Sequence, residues 1–317
     1  GIVGGRSRVM DLLALVVAII CVVIAFLMFG SSKKRKLRWK AIPDQYQSLK
    51  EVNLALQKAG LESSDLIIGI DYTKSNEWNG KNSFGGRSLH YMPNDQFVGN
   101  VAGAPGGSIF GNQAVMNPYQ AVIDMIGRTL EKFDDDSRIP VFGFGDAKTQ
   151  DHSVFPLSDC KDGLCNGIPE VLKRYAEITP ELKLSGPTSF EPLIEKAIEI
   201  VSEKGSYHIL LIIADGQVTG VNNVRDTSRA IVKASEYPLS IVMVGVGDGP
   251  WDEMKKFDDE LPARKFDNFQ FVEYSQVVKN SENPEVAFAV RALQEVPDQY
   301  ATIISLDLLG RENLRIS

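Results

Sequence analysis

The chain opens on its longest apolar stretch and then changes rhythm. Residues 12–29, LLALVVAIICVVIAFLMF, form one uninterrupted apolar run. At about 1.5 Å per residue, that run with Gly30 matches a hydrocarbon core of about 30 Å. A transmembrane helix is therefore expected over residues 12–30, after a short N-terminal segment, 1–11. A cleaved signal peptide is the alternative. Its apolar region is usually shorter, about 7–15 residues, and a small-residue cleavage site follows it. Here Lys33, Lys34, Arg35, Lys36, Arg38 and Lys40 follow, with only Arg6 and Arg8 in front. The positive-inside rule then puts the bulk of a single-pass chain on the cytoplasmic side, or the matrix or stromal side in an organelle. The basic cluster at 33–40 also suits anionic lipid headgroups.

After a linker at 31–45, the period shifts between helix and strand. Residues 46–60 carry Leu49, Val52, Leu56 and Ala59 at helical spacing, with Gly60 as a stop. LIIGIDY (66–72), IPVFGFG (139–145), YHILLIIADG (207–216), LSIVMVGVG (239–247) and FQFVEY (269–274) read as buried strands. Helical patterns cover 121–133, 168–178, 190–204, 224–237 and 284–300. Near-continuous apolar strands alternating with helices imply a doubly wound, mostly parallel α/β sheet with helices on both faces. This domain spans 46–310, with a tail at 311–317. Within it, the polar, glycine-rich stretch 79–116 reads as a loop insertion.

Composition narrows the function. A net charge of −7 argues against a nucleic-acid binder, since phosphate backbones are held by Lys and Arg. Three cysteines, Cys21, Cys160 and Cys165, allow at most one disulfide and no zinc ribbon or RING. Cys160 and Cys165 are expected as free thiols in a surface loop. No phosphate-binding GxxxxGK[ST] loop and no Ser–His–Asp arrangement is present, and the three histidines are scattered.

In an open parallel sheet, ligands bind beyond the C-terminal strand ends, near the switch in strand order. Strand 66–72 runs out into Asp71, Thr73 and Ser75. The loop LSGPTSF (184–190) offers Thr188 and Ser189, and strand 207–214 ends at Asp215. Each loop alone reads as a turn or a helix cap, because caps favour these residue types. Converging, they supply two carboxylates and several hydroxyls. All-oxygen ligation of this kind suits Mg²⁺, Mn²⁺ or Ca²⁺ rather than zinc or copper.

DYTKSN, GPTSF and IIADGQ resemble the three loops of a metal-ion-dependent adhesion site in a von Willebrand factor A domain. Together with NPYQ (117–120), FGFGD (142–146), CNG (165–167), LSIVMVGVGDGPW (239–251) and FDNFQFVEY (266–274), they are similar to the copine A domain. The copine-like domain of plant RING-type ubiquitin ligases is especially similar. The resemblance covers residues 42–310. It implies Thr73 and Ser75 as direct hydroxyl ligands, with Thr188 from the second loop. It implies Asp71 as binding through water or orienting the site, and Asp215 as contacting the ion through water from the third loop. Copines carry two C2 domains before this domain, and the plant ligases a RING after it. This chain has the apolar run in the first place and too few cysteines for the second.

The expected protein is therefore a membrane-anchored, divalent-metal-dependent interaction module with no catalytic site of its own, and not an enzyme. Its metal recruits an Asp or Glu of a protein partner. Two rivals stand beside it. One is an accessory subunit of a larger membrane complex, with vestigial metal loops. The other is a ubiquitin-ligase relative acting through a partner.

Overall fold

A computed structural model describes residues 46–61, 63–92, 116–130, 136–261 and 263–310. The expected membrane helix 12–30, the linker 31–45, residues 93–115 of the insertion and the tail 311–317 lie outside these residues. Among the described residues, no helix is long and apolar enough to cross a membrane.

Seven strands form one sheet: β1 (Asp65–Asp71), β2 (Arg138–Phe144), β3 (Phe155–Pro156), β4 (Leu164–Asn166), β5 (His208–Ala214), β6 (Leu239–Gly245) and β7 (Phe269–Glu273). Five of them run parallel in the spatial order β2-β1-β5-β6-β7. The short strands β3 and β4 pair antiparallel with β2. They are too short to leave a hydrophobic period in the sequence. The direction of chain progression reverses between β1 and β5, and that reversal is the switch point of a doubly wound sheet.

The strands are apolar on both sides because both sides are covered. Successive side chains on a strand point to opposite faces. Leu66, Ile68 and Ile70 of β1 join one core with the helices α1 (Leu49–Lys58), α2 (Pro118–Leu130) and α3 (Gly167–Ile178). Ile67 faces the other core, formed by α4 (Glu191–Lys204), α5 (Val221–Ala234) and α6 (Asp252–Asp259). The helix α7 (Tyr274–Lys279) lends Tyr274 and Val277 to the margin of the first core. Helix α6 was not foreseen. Its stretch, DEMKKFDD, buries only Met254 and Phe257, too few apolar positions to stand out.

The helix expected over 284–300 is two helices, α8 (Pro284–Leu293) and α9 (Val296–Ser305). Pro297 explains the break. It has no N–H to donate, and its ring crowds the carbonyl four residues back, at Leu293, where α8 ends. The cysteine expectation also changes. Both Cys160 and Cys165 are free, but Cys165 is buried on β4 while only Cys160 is exposed.

Gly69, in the middle of β1, sets how closely α4 can approach. A Cβ there would lie 2.1 Å from Leu193 Cδ2. Overpacking of this sort costs about 1–3 kcal/mol. Gly69→Ala is expected to lower stability by about that amount in urea unfolding. Shortening Leu193 in the same chain makes room, so the Gly69→Ala, Leu193→Ala double variant is expected to lose less than the sum of the singles. Strict additivity would mean that the two residues do not meet.

Candidate metal centre

The parallel ladder between β1 and β5 ends at Ile70 and Ile213, so the two strands diverge at the next residues. Asp71 and the chain around Asp215 occupy the opening. Asp71 Oδ1 accepts the Thr73 N–H at 2.7 Å, which folds the chain back into a 3₁₀ turn at Lys74–Glu77. Asn76 holds that turn from inside. Its Nδ2 donates to the carbonyls of Asp71 (3.2 Å) and Thr73 (3.0 Å), and its Oδ1 accepts the Tyr119 hydroxyl at 2.7 Å. The alternating hydroxyls then line up. Thr73 Oγ1 lies 3.1 Å from Ser75 Oγ, and Ser75 Oγ donates to Asp215 Oδ1 at 3.1 Å.

The second loop is fastened beside the first. The Lys74 N–H donates to the Ser185 carbonyl at 2.5 Å, and the Ser185 N–H donates to the Gly145 carbonyl at 3.1 Å. Thr188 is buried and tied to the chain beyond Asp215. Its N–H donates to Thr219 Oγ1 at 3.2 Å, and its carbonyl accepts the Thr219 N–H at 3.1 Å. The third loop is held by two contacts absent from the sequence reading. Asn79 Nδ2 donates to the carbonyls of Asp215 (2.7 Å) and Gly249 (3.0 Å). Gly247 lets the β6 loop pass against Asp215, since a Cβ there would lie 2.2 Å from the Asp215 carbonyl oxygen.

All five predicted residues thus come from three loops at the switch point. Hydrogen bonds link Asp71, Thr73, Ser75 and Asp215 directly, and Thr188 enters through the backbone of its neighbours. Asn76, Asn79 and His90 belong to the same assembly and were not singled out. Asn76 lies within DYTKSN, so its place was available from the motif. His90, 19 residues beyond Asp71, left no local signal. It is buried, and burial lowers its pKa to about 4, so it is neutral.

Asp71 and Asp215 are both wholly buried. Burial, then the neighbouring charge of Asp215, raises the Asp71 carboxyl well above the usual carboxylate range. Burial raises Asp215 to about 6, against the lowering effect of Ser75. The two carboxyls lie within hydrogen-bond reach of each other, and Asp71 Oδ2 and Asp215 Oδ2 find no other donor among the described residues. Two buried carboxylates without a countercharge must either take up a proton or hold a cation. Among the described residues, no group of three or more His, Cys, Asp and Glu is placed to hold a metal. The set here is two carboxylates with hydroxyls, the oxygen-only chemistry of Mg²⁺, Mn²⁺ and Ca²⁺. Those residues fit such an ion.

A parallel α/β sheet with oxygen-bearing loops at its switch point is the architecture of an A domain. The copine family model matches residues 110–312, and the chain belongs to the copine family. The E3 ubiquitin-protein ligase RGLG2 of Arabidopsis thaliana is 49% identical over 300 residues, covering 90% of this chain and 60% of that protein. Copine family protein 1 of Caenorhabditis elegans is 51% identical over 267 residues, covering 83% of this chain and 22% of that protein. Among solved structures, a von Willebrand factor type A protein from Catenulispora acidiphila aligns over 75% of this chain and 42% of its own, at 13% identity and a TM-score of 0.38. That likeness is too distant to carry weight. The chain spans 60% of the length of RGLG2 and 63% of RGLG5.

The ligase relatives overturn one expectation. The sequence reading held that the protein is not an enzyme. Five relatives, 47–50% identical over 87–90% of this chain, are named E3 ubiquitin-protein ligases. The sequence had shown the resemblance to such ligases, but the expectation rested on the lack of a catalytic constellation within this chain.

The raised carboxyls make stability pH-dependent. In metal-free protein the folded state holds protons here that the unfolded chain, with ordinary carboxylates, releases. This contribution is present at low pH and is lost as pH rises through about 6 and beyond. Metal-free protein is therefore expected to melt at a higher temperature at pH 5 than at pH 7.5. Asp215→Asn should shrink that difference in calorimetry. An unchanged difference would remove the pair as its source.

Proposed function

We propose that this chain is a cation-dependent protein-recognition module of a ubiquitin-ligase-type protein. Asp71, Thr73, Ser75, Thr188 and Asp215 hold Mg²⁺, or Mn²⁺ or Ca²⁺ in its place. The observation that carries this reading is the pair of buried carboxylate oxygens, Asp71 Oδ2 and Asp215 Oδ2, flanked by hydroxyls and with no donor outside the pair among the described residues. When bound, the cation supplies a positive centre that neutral hydroxyl ligands leave electron-poor and open to an acidic side chain of a partner. The protein's own work is to orient. Asn76 and Asn79 fix the first and third loops, and the ladder of β1 and β5 holds the two aspartates at the opening. The kinship with proteins named as ligases supports a role in bringing a protein partner to ubiquitin transfer.

The reading extends to the N-terminal part of the chain. The apolar run 12–30 anchors the module in a membrane, and the basic residues 33–40 rest on anionic headgroups.

Titration calorimetry of the purified chain with Mn²⁺ or Mg²⁺ tests the centre. Wild type is expected to bind one ion per chain. Asp71→Ala should abolish binding, and Ser75→Ala should weaken it by about 10-fold or more, a typical cost of disturbing a ligand shell. Saturation by wild type and Asp71→Ala alike would refute the assignment. For the anchor, alkaline carbonate extraction is expected to leave the full chain in the membrane pellet and to release one lacking residues 1–40. Release of both would end the membrane reading.

A further inference from the structure

His90 reaches the metal centre from behind without entering it. The Tyr72 N–H donates to the Phe144 carbonyl of β2, so the Asp71 carbonyl in the same peptide unit points to the opposite, β5 side. There the ladder has already stopped at Ile70 and Ile213. A buried carbonyl without a ladder partner needs another donor. Asn76 Nδ2 supplies one at 3.2 Å, and His90 Nε2 lies closer, at 2.8 Å. A carbonyl oxygen only accepts, so Nε2 carries the ring's proton. Nδ1 is then the acceptor, and the Tyr175 hydroxyl donates to it at 2.7 Å. Asn117 Nδ2 donates to that hydroxyl oxygen at 3.1 Å. The imidazole stacks on Tyr72 and Tyr119, with ring centroids 4.8 and 4.2 Å away. Its tautomer, tilt and height are all determined by neighbours.

We propose that His90 is the positioning residue of the cation centre, aiming the Asp71 carboxylate by holding the Asp71 carbonyl. This rests on the cation reading above. Asp71 sits at a strand end with no ladder partner on the β5 side. Its peptide plane is held on one side by the Tyr72 N–H bond to Phe144 and on the other by the donors on its carbonyl, so losing the His90 donor lets the plane tilt and carries the Asp71 side chain with it. Chain from either side of residues 93–115 thereby supports the first loop, through His90 on one side and Asn117 and Tyr119 on the other.

Two substitutions separate positioning from packing. His90→Phe keeps an aromatic ring between the tyrosines and removes the donor. His90→Gln restores an N–H where Nε2 stands. With the full chain and Mn²⁺ as probe, His90→Phe is expected to raise the dissociation constant about 10-fold or more. His90→Gln should recover most of that loss. A second readout needs no metal. Exchange of the Thr73 amide, which donates to Asp71 Oδ1, is expected to speed about 10-fold in His90→Phe, with the Ile68 and Ile70 amides unmoved. Wild-type Mn²⁺ affinity in His90→Phe, or unchanged Thr73 exchange, would overturn the proposal. If wild type takes up no Mn²⁺, the cation reading fails by itself. Thr73 exchange then decides the role of His90 alone. Should His90→Phe not fold, Tyr175→Phe takes its place, since it removes the hydroxyl that holds Nδ1. A loss of about threefold in affinity is expected from it, and no loss would count against the proposal.

Discussion

Two acidic side chains buried at one opening are the constraint from which the rest of this structure follows. Asp71 and Asp215 end neighbouring strands at the point where strand order reverses. Burying even one ionised carboxylate costs several kcal/mol unless it is paired and hydrogen-bonded. Among the described residues, no lysine or arginine forms an ion pair with either one. Exposed pairs such as Lys74–Glu77 contribute under about 1 kcal/mol and cannot offset that cost. The fold keeps two uncompensated acids in its interior. That is a poor arrangement for stability and a suitable one for an ion.

The surroundings are built to keep those acids in place. The first loop is held by Asn76 and Tyr119, the third by Asn79, and the second by backbone bonds to Lys74 and Gly145. Beneath them lies a buried set of aromatic rings and hydroxyls, in which His90 and Tyr175 each contact Tyr72, Tyr119 and one another. Buried polar networks of this sort help only when their members are satisfied. Here each nitrogen of His90 has a partner of the matching kind, and Asn76 uses both ends of its amide. On the proposed reading, rigidity at the strand ends matters because a neutral hydroxyl by itself has low affinity for a hard cation.

Kinship places this arrangement in a wider setting. The copine family contains proteins in which such a domain is a minor part of the chain, as in the Caenorhabditis elegans relative, and others in which it is more than half, as in the plant ligases. The matched part is a different share of each chain. A recognition module that travels between architectures fits that distribution.

Much of the fold was legible in the sequence, because burial on both faces writes itself as continuous apolar strands. The five parallel strands and the helices that cover them appear as patterns of period 2 or 3.6. The exceptions have local causes. Strands β3 and β4 are too short to show a period, α6 buries two apolar residues only, and one proline splits the last helix. Within the site, Asp71, Thr73, Ser75, Thr188 and Asp215 were each visible as polar residues at an element's edge. Tertiary structure decided the rest. Strand order brought residues 140 positions apart into one hydrogen bond between Ser75 and Asp215. It also set Asn79 and His90 against backbone carbonyls whose own partners had run out. Those two residues answer needs created by chain geometry, and a need of that kind leaves no local trace in the sequence.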